Sequence, residues 1–155
     1  VSFLALALDF VSPLPPVRSG IADYSADLLP ALEPLCDLRV LALPGQPVAS
    51  EVVERWHPQG AEQALAAEAL KAEASEDGAG RRLPLYQMGN NLYHESVAGL
   101  AQRWPGVLVL HDLVLHHLAM EETLARGVLE PYRQRLRQDH GDLGEAVAIA
   151  RRWGY

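Results

Sequence analysis

Three short polar constellations carry residue types able to do chemistry. Arg18-Ser19-Gly20 follows the stiff stretch Pro13-Leu14-Pro15-Pro16. A guanidinium supplies a planar donor fork, and glycine lets a ligand approach the backbone. At a helix start, unpaired N–H groups and the helix dipole favour an anion, so this loop is a candidate wall of a phosphate site. Gly89-Asn90-Asn91, with His94 shortly after, offers amide donors and acceptors suited to sugar hydroxyls. His111-Asp112 ends the apolar run Val107 to Leu110, where an imidazole can bond a ligand hydroxyl or place a reacting group. Each has a plainer reading: a proline-stiffened connection, asparagines that turn or cap, and a histidine bonded to a neighbouring loop.

The elements that must position these groups follow from hydrophobic pattern. Ser2 to Leu8 is a continuous apolar run, as in a strand covered on both faces. Ile21, Tyr24, Leu28, Leu32 and Leu35 recur at helical spacing, with Tyr24 expected in the core with its hydroxyl at the rim, and Pro30 is expected to cause a kink, or a break and restart near Leu29. Asp23 complements the dipole of that helix. Leu38 to Leu43 reads as a second strand, and Glu51 to Trp56 as a short helical turn. Gln59 to Ser75 is a helix by propensity, and 76–82 an exposed loop. Leu83 to Met88 is a third strand, after which Asn90 or Asn91 can cap a helix that aligns Tyr93, Val97, Leu100 and Trp104. Val107 to Leu110 is a fourth strand, and helices are expected over Leu113–Ala125, Leu129–Gln138 and Leu143–Trp153.

Strands alternating with helices predict an α/β fold: a Rossmann-like parallel sheet flanked by helices, joined by right-handed crossovers. In such sheets ligands bind beyond the carboxyl ends of the strands, where all three constellations fall.

A chain of 155 residues suits one domain with a real core. Its net charge of −7, with basic residues scattered apart from Arg133–Arg137 and Arg151-Arg152, argues against a nucleic-acid partner and a basic membrane face. Cys36 is the only cysteine, so neither an internal disulfide nor a cysteine-based zinc framework is available, and a cytoplasmic location is expected. The opening apolar run is too short to span a bilayer and lacks a basic leader. The valine start and the Trp153-Gly154-Tyr155 end lead to the expectation of a piece of something longer.

Familiar nucleotide and hydrolase signatures are absent: there is no Gly-x-x-x-x-Gly-Lys, no Gly-x-Gly-x-x-Gly after the first strand and no Gly-x-Ser-x-Gly. His94, His111, Asp112 and His116 are metal-ligating types. On a helix, however, the neighbours His116 and His117 point about 100° apart and do not readily chelate one ion.

Pro15-Pro16-Val17-Arg18-Ser19-Gly20-Ile21-Ala22-Asp23-Tyr24, Tyr86-Gln87-Met88-Gly89-Asn90-Asn91, and Pro105-Gly106-Val107 to His111-Asp112 together resemble the N-terminal domain of family 4 glycosyltransferases of the GT-B fold. The likeness runs from Val1 to about His117 and is loose beyond. It implies the acceptor-side half of a two-domain enzyme whose second domain grips the nucleotide and carries paired glutamates, none of which is present in this sequence. The implied reaction moves a sugar from a nucleotide-diphosphate donor to an acceptor hydroxyl with retention, with no metal or other cofactor. By position, Gly20, Ser19 and Arg18 would lie against the donor phosphates or sugar, and His111 beside the transferred sugar as the catalytic-site histidine. Asn90, Asn91 and His94, with Asp112 alongside His111, would face the cleft. Many members have two adjacent glycines where this chain has Ser19-Gly20, which narrows the approach. The isolated chain is expected to be inactive. Two other classes compete: a non-catalytic Rossmann-like binding module, and a metal-dependent hydrolase using His94, His111, Asp112 and His116.

Overall fold

The computed structural model describes residues 6–74 and 80–154. They divide into two units, Val1–Gly89 with Tyr93–Leu113, and Asn90–Leu92 with Val114–Tyr155.

The first unit is an α/β sandwich on a five-stranded sheet. Its strands are β1 (Ala7–Val11), β2 (Asp37–Ala42), β3 (Gln59–Gly60), β4 (Leu83–Met88) and β5 (Val107–Leu110). All pairings are parallel, in the order β3-β2-β1-β4-β5. The helices are α1 (Gly20–Leu32), α2 (Ser50–Trp56), α3 (Ala61–Ala74) and α4 (Glu95–Arg103). The chain leaves β1 toward β2 and leaves β4 toward β5, so the loops after β1 and β4 diverge. That is the topological switch point of a Rossmann-like sheet, the place beyond the strand ends where sheets of this kind bind ligands.

β1 lies later than expected, with Val1–Phe3 and the rest of residues 1–5 outside the described residues. An unbroken apolar run does not set its own register. Asp9 does: it pairs in register with Arg39 across β1–β2, fully buried, and its carboxylate takes Arg39 Nε at 2.8 Å, Arg39 Nη2 at 2.7 Å and Arg82 Nε at 2.7 Å. Arg39 also meets Glu68 of α3 at 3.3 Å, and Arg82 bonds the Leu8 and Asp37 carbonyls at 2.8 and 2.6 Å. A buried carboxylate needs paired, hydrogen-bonded cations, and two guanidiniums supply them.

Phe10, Leu14, Leu29, Val40 and Val52 form the core between the sheet and α1 and α2. Each buried large side chain of this kind contributes about 1.5–3 kcal/mol. On the other side, buried Tyr86 donates its hydroxyl to the Trp104 carbonyl at 2.6 Å, and burial pushes the phenol up to about 12.

α1 runs through Pro30 to Leu32 with no restart. Pro30 is exposed and two residues from the end, so the missing donor removes little. The buried face is Ala22, Ser25 and Leu29, displaced from the expected one; Tyr24 and Leu35 are exposed. α3 begins at Ala61, because Gln59-Gly60 pairs beside β2 instead of opening the helix. Of the expected loop 76–82, residues 76–79 lie outside the described residues. β5 is the edge strand of the described sheet, with Val107, Leu108 and Leu110 exposed.

The second unit holds α5 (His116–Glu122) and α6 (Leu129–Arg152). α5 starts three residues later than expected. α6 breaks at Gly141, whose φ of 62° is left-handed, which agrees with two helices separated there. Among the described residues, no helix is long and apolar enough to cross a membrane.

Candidate functional site

The β1–α1 loop is tied down from several sides. Leu14 and Val17 are buried, and Val17 N–H bonds the Leu14 carbonyl at 3.0 Å. Ser12 Oγ lies 2.7 Å from Ser25 Oγ, and the Pro15 carbonyl accepts from Ala49 N–H at 2.6 Å. Ser19 is the N-cap of α1. Its Oγ accepts from Ile21 N–H at 3.2 Å, and its carbonyl accepts from Ala22 and Asp23 N–H at 2.9 and 3.2 Å. Most first-turn donors are therefore satisfied within the chain, and the Ser19 hydroxyl is engaged in capping. Gly20 N–H is left without a partner among the described residues. Arg18 is exposed and has no ion pair among them.

Two glycines at the switch point differ in kind. A Cβ on Gly89 would collide with Ile21 Cδ1 and reach His94 Nε2 at 2.8 Å. A side chain at Gly89 would force the Ile21 terminus and the buried His94 ring to shift, so glycine suits the close approach of the β4 end to the first turn of α1. A Cβ on Gly20 would meet nothing within 4 Å, and Gly20 does not need a left-handed backbone. Nothing within the fold calls for glycine there, and the space in front of it is open.

His94 is fully buried. Its Nδ1 lies 3.2 Å from the Gln87 carbonyl, and its Nε2 has no hydrogen-bond partner. Burial holds its pKa below the usual histidine value; His111 nearby acts in the same direction, while the Gln87 carbonyl and Asp112 oppose. His94 is therefore an enclosed neutral ring under Gly89, and not an open cleft residue.

His111 stands one residue past β5, its N–H continuing the ladder to the Met88 carbonyl at 2.9 Å. Its Nε2 lies 2.8 Å from Gln87 Oε1, and its ring meets Tyr24 edge-on at 5.0 Å. The residue stays exposed, as does Asp112. Tyr24, expected in the core with its hydroxyl at the rim, is instead exposed beside His111.

The first unit thus brings together Gly20, Ile21, Tyr24, Gln87, Gly89, His94 and His111. Asn90 and Asn91 fall in the second unit, where Asn90 Oδ1 accepts from Leu118 N–H of α5 at 2.9 Å. The helix after β4 begins differently from expectation: a 3-10 turn, Leu92–His94, precedes α4, whose N-cap is His94 without a side-chain cap bond. His116 is also in the second unit, its Nε2 3.2 Å from the Tyr132 hydroxyl. Among the described residues no group of three or more His, Cys, Asp or Glu is placed to hold a metal ion.

Gln87 is the residue that pattern reading passed over. It is a fully polar side chain in the strand Leu-Pro-Leu-Tyr-Gln-Met, buried at the carboxyl end of β4. A buried amide must find partners, and that alone singles it out.

A cavity of about 330 Å³ lies elsewhere in the first unit, lined by Leu65, Glu68, Arg81, Arg82, Arg103 and Trp104 among others. It sits by the amino ends of β4 and β5, whereas sheets of this kind bind ligands at the carboxyl ends. Its Arg82 and Glu68 are committed to Asp9, Asp37, Arg39 and Lys71. Comparison of the chain with models of protein families, with curated proteins and with solved structures gave no match in any of the three.

Proposed function

We propose that this chain is the acceptor-side half of a retaining, family 4 type glycosyltransferase of GT-B architecture, acting on a nucleotide-sugar donor. The observation that carries the reading is Gly20: a glycine at the switch point, at the start of α1, that neither backbone geometry nor packing requires. Its open N–H and the positive end of the helix suit a diphosphate oxygen or a sugar oxygen at close range. His111, held at the end of β5 by Gln87, suits a hydroxyl of the transferred sugar. Arg18 would add a cation at the rim.

On this reading the chemistry divides between two domains. The leaving diphosphate needs positive charge and fixed donors, and the acceptor hydroxyl needs orientation on the same sugar face as the departing group. This chain supplies one helix terminus and an imidazole. The main cationic grip would come from a second α/β domain, and the cytoplasm is where nucleotide sugars would reach it.

The test is an assay of the protein as its gene encodes it, against a panel of nucleotide sugars, reading nucleoside diphosphate release and the anomeric configuration of the product. Release with retention is the expected result. A gene product with no second α/β domain, or no turnover with any donor while a small ligand still binds, would replace the enzyme with a non-catalytic binding module.

A further inference from the structure

We propose that Gln87 is a positioning residue that fixes the tautomers of two histidines at once, and so makes both of them hydrogen-bond acceptors at their remaining ring nitrogens. Its backbone carbonyl can only accept, so His94 Nδ1, 3.2 Å away, carries the proton and Nε2 keeps the lone pair. The side-chain amide is turned with Oε1 toward His111, and in that orientation it can only accept, so His111 Nε2, 2.8 Å away, carries the proton and Nδ1 keeps the lone pair. One residue thus imposes opposite tautomers on two rings through two different groups.

The arrangement is held from outside. Gln87 is buried in β4, in register with Val109 of β5, two residues before His111. His111 is further set by the Tyr24 ring, and His94 is enclosed by Gly89 and Ile21. A histidine whose second nitrogen is tied to a fixed partner is locked in ring orientation as well as protonation. The chemical consequence falls on the exposed ring: in its neutral form His111 meets a ligand with the Nδ1 lone pair, which suits a hydroxyl hydrogen. Only the catalytic part of this inference rests on the glycosyl-transfer reading.

The experiment is ¹⁵N NMR of the histidine rings in the full chain at a pH where both are neutral, on wild type, Gln87→Leu and Gln87→Glu. Wild type is expected to show His111 as the Nε2–H tautomer and His94 as the Nδ1–H tautomer. Gln87→Leu should leave His94 unchanged, since its partner is main chain, and move the two His111 ring shifts toward each other as the tautomers interconvert. Gln87→Glu should restore the wild-type His111 pattern, because a carboxylate also only accepts. The unchanged His94 signature doubles as the control for folding. His111 as Nδ1–H in wild type, or His111 shifts indifferent to Gln87→Leu, would overturn the proposal. In an active full-length protein, Gln87→Leu and His111→Ala should be strongly non-additive in kcat/KM. Correct tautomers without transferase activity would sink the glycosyl-transfer reading and leave the Gln87 assignment standing.

Discussion

Replacing Gly20 by alanine separates the demands of folding from those of a ligand. The new methyl group meets nothing within 4 Å, and the backbone is not left-handed, so the folded state incurs no clash and no strain. The unfolded chain meanwhile loses backbone freedom, and alanine is the better helix residue. In a helix interior the exchange is worth about 1 kcal/mol; at the first position of α1 about 0.5 kcal/mol is the reasonable share. Chemical denaturation should therefore show Gly20→Ala more stable by about that amount, roughly a twofold rise in the folding constant at unchanged m-value. The same variant should weaken donor use in the full-length protein, because the methyl stands where a phosphate or sugar oxygen would approach. Gly20→Val should weaken it further. A destabilised Gly20→Ala would mean that glycine serves the fold. A stabilised variant with unaltered donor kinetics would mean that nothing approaches the loop.

Three other outcomes follow from the contacts. Asp9→Ala strips two guanidiniums of their buried partner, which costs about 3–5 kcal/mol in a buried pair; Arg39 and Arg82 retain Glu68 and Asp37, so the lower end applies, and a loss under about 1 kcal/mol by denaturation would refute the network's role. The depressed pKa of His94 makes stability pH-dependent: the unfolded ring takes up a proton near 6.5 that the folded ring resists, so stability is complete above that value and falls as pH drops through it toward the folded pKa, at up to about 1.4 kcal/mol per pH unit. His94→Asn keeps a donor for the Gln87 carbonyl and should flatten that slope below pH 6.5 in parallel denaturation series; an unchanged slope would assign it elsewhere. His111→Ala removes an exposed ring and one hydrogen bond, so stability should change by about 1 kcal/mol or less while turnover of the full-length protein falls about a hundredfold.

The parallel α/β architecture was legible because β4 and β5 are short apolar runs bounded by turn residues, and because α3 has unmistakable helical composition. Boundaries failed where tertiary pairing decides them. β1 could slide along its apolar run until Asp9 met Arg39 and Arg82, charges separated by 30 and 73 residues. α1 turned its Ala22-Ser25-Leu29 face inward because Ser25 bonds Ser12, which exposed Tyr24 to His111. At the site, Gly20 and His111 were visible as a glycine after a strand and a histidine at a strand end. Gln87 was not, since its importance comes from one partner just past β5 and another in the 3-10 turn before α4. In sequence Ser19 reads as part of a phosphate loop and Asn90 as a cap or cleft residue; their bonds to the first turn of α1 and to α5 are uses that local sequence could not choose.

The central claim is that a ligand enters at the switch point, between the start of α1 and the end of β5. Amide chemical-shift mapping of this chain during titration with nucleotide sugars tests it directly. The account predicts that Gly20, Ile21 and Tyr24 shift together with Gly89 and His111, and that Arg81, Arg103 and Trp104 around the cavity at the other end of the sheet stay still. Shifts confined to the cavity residues, or none at Gly20 and His111 with any donor, would contradict it.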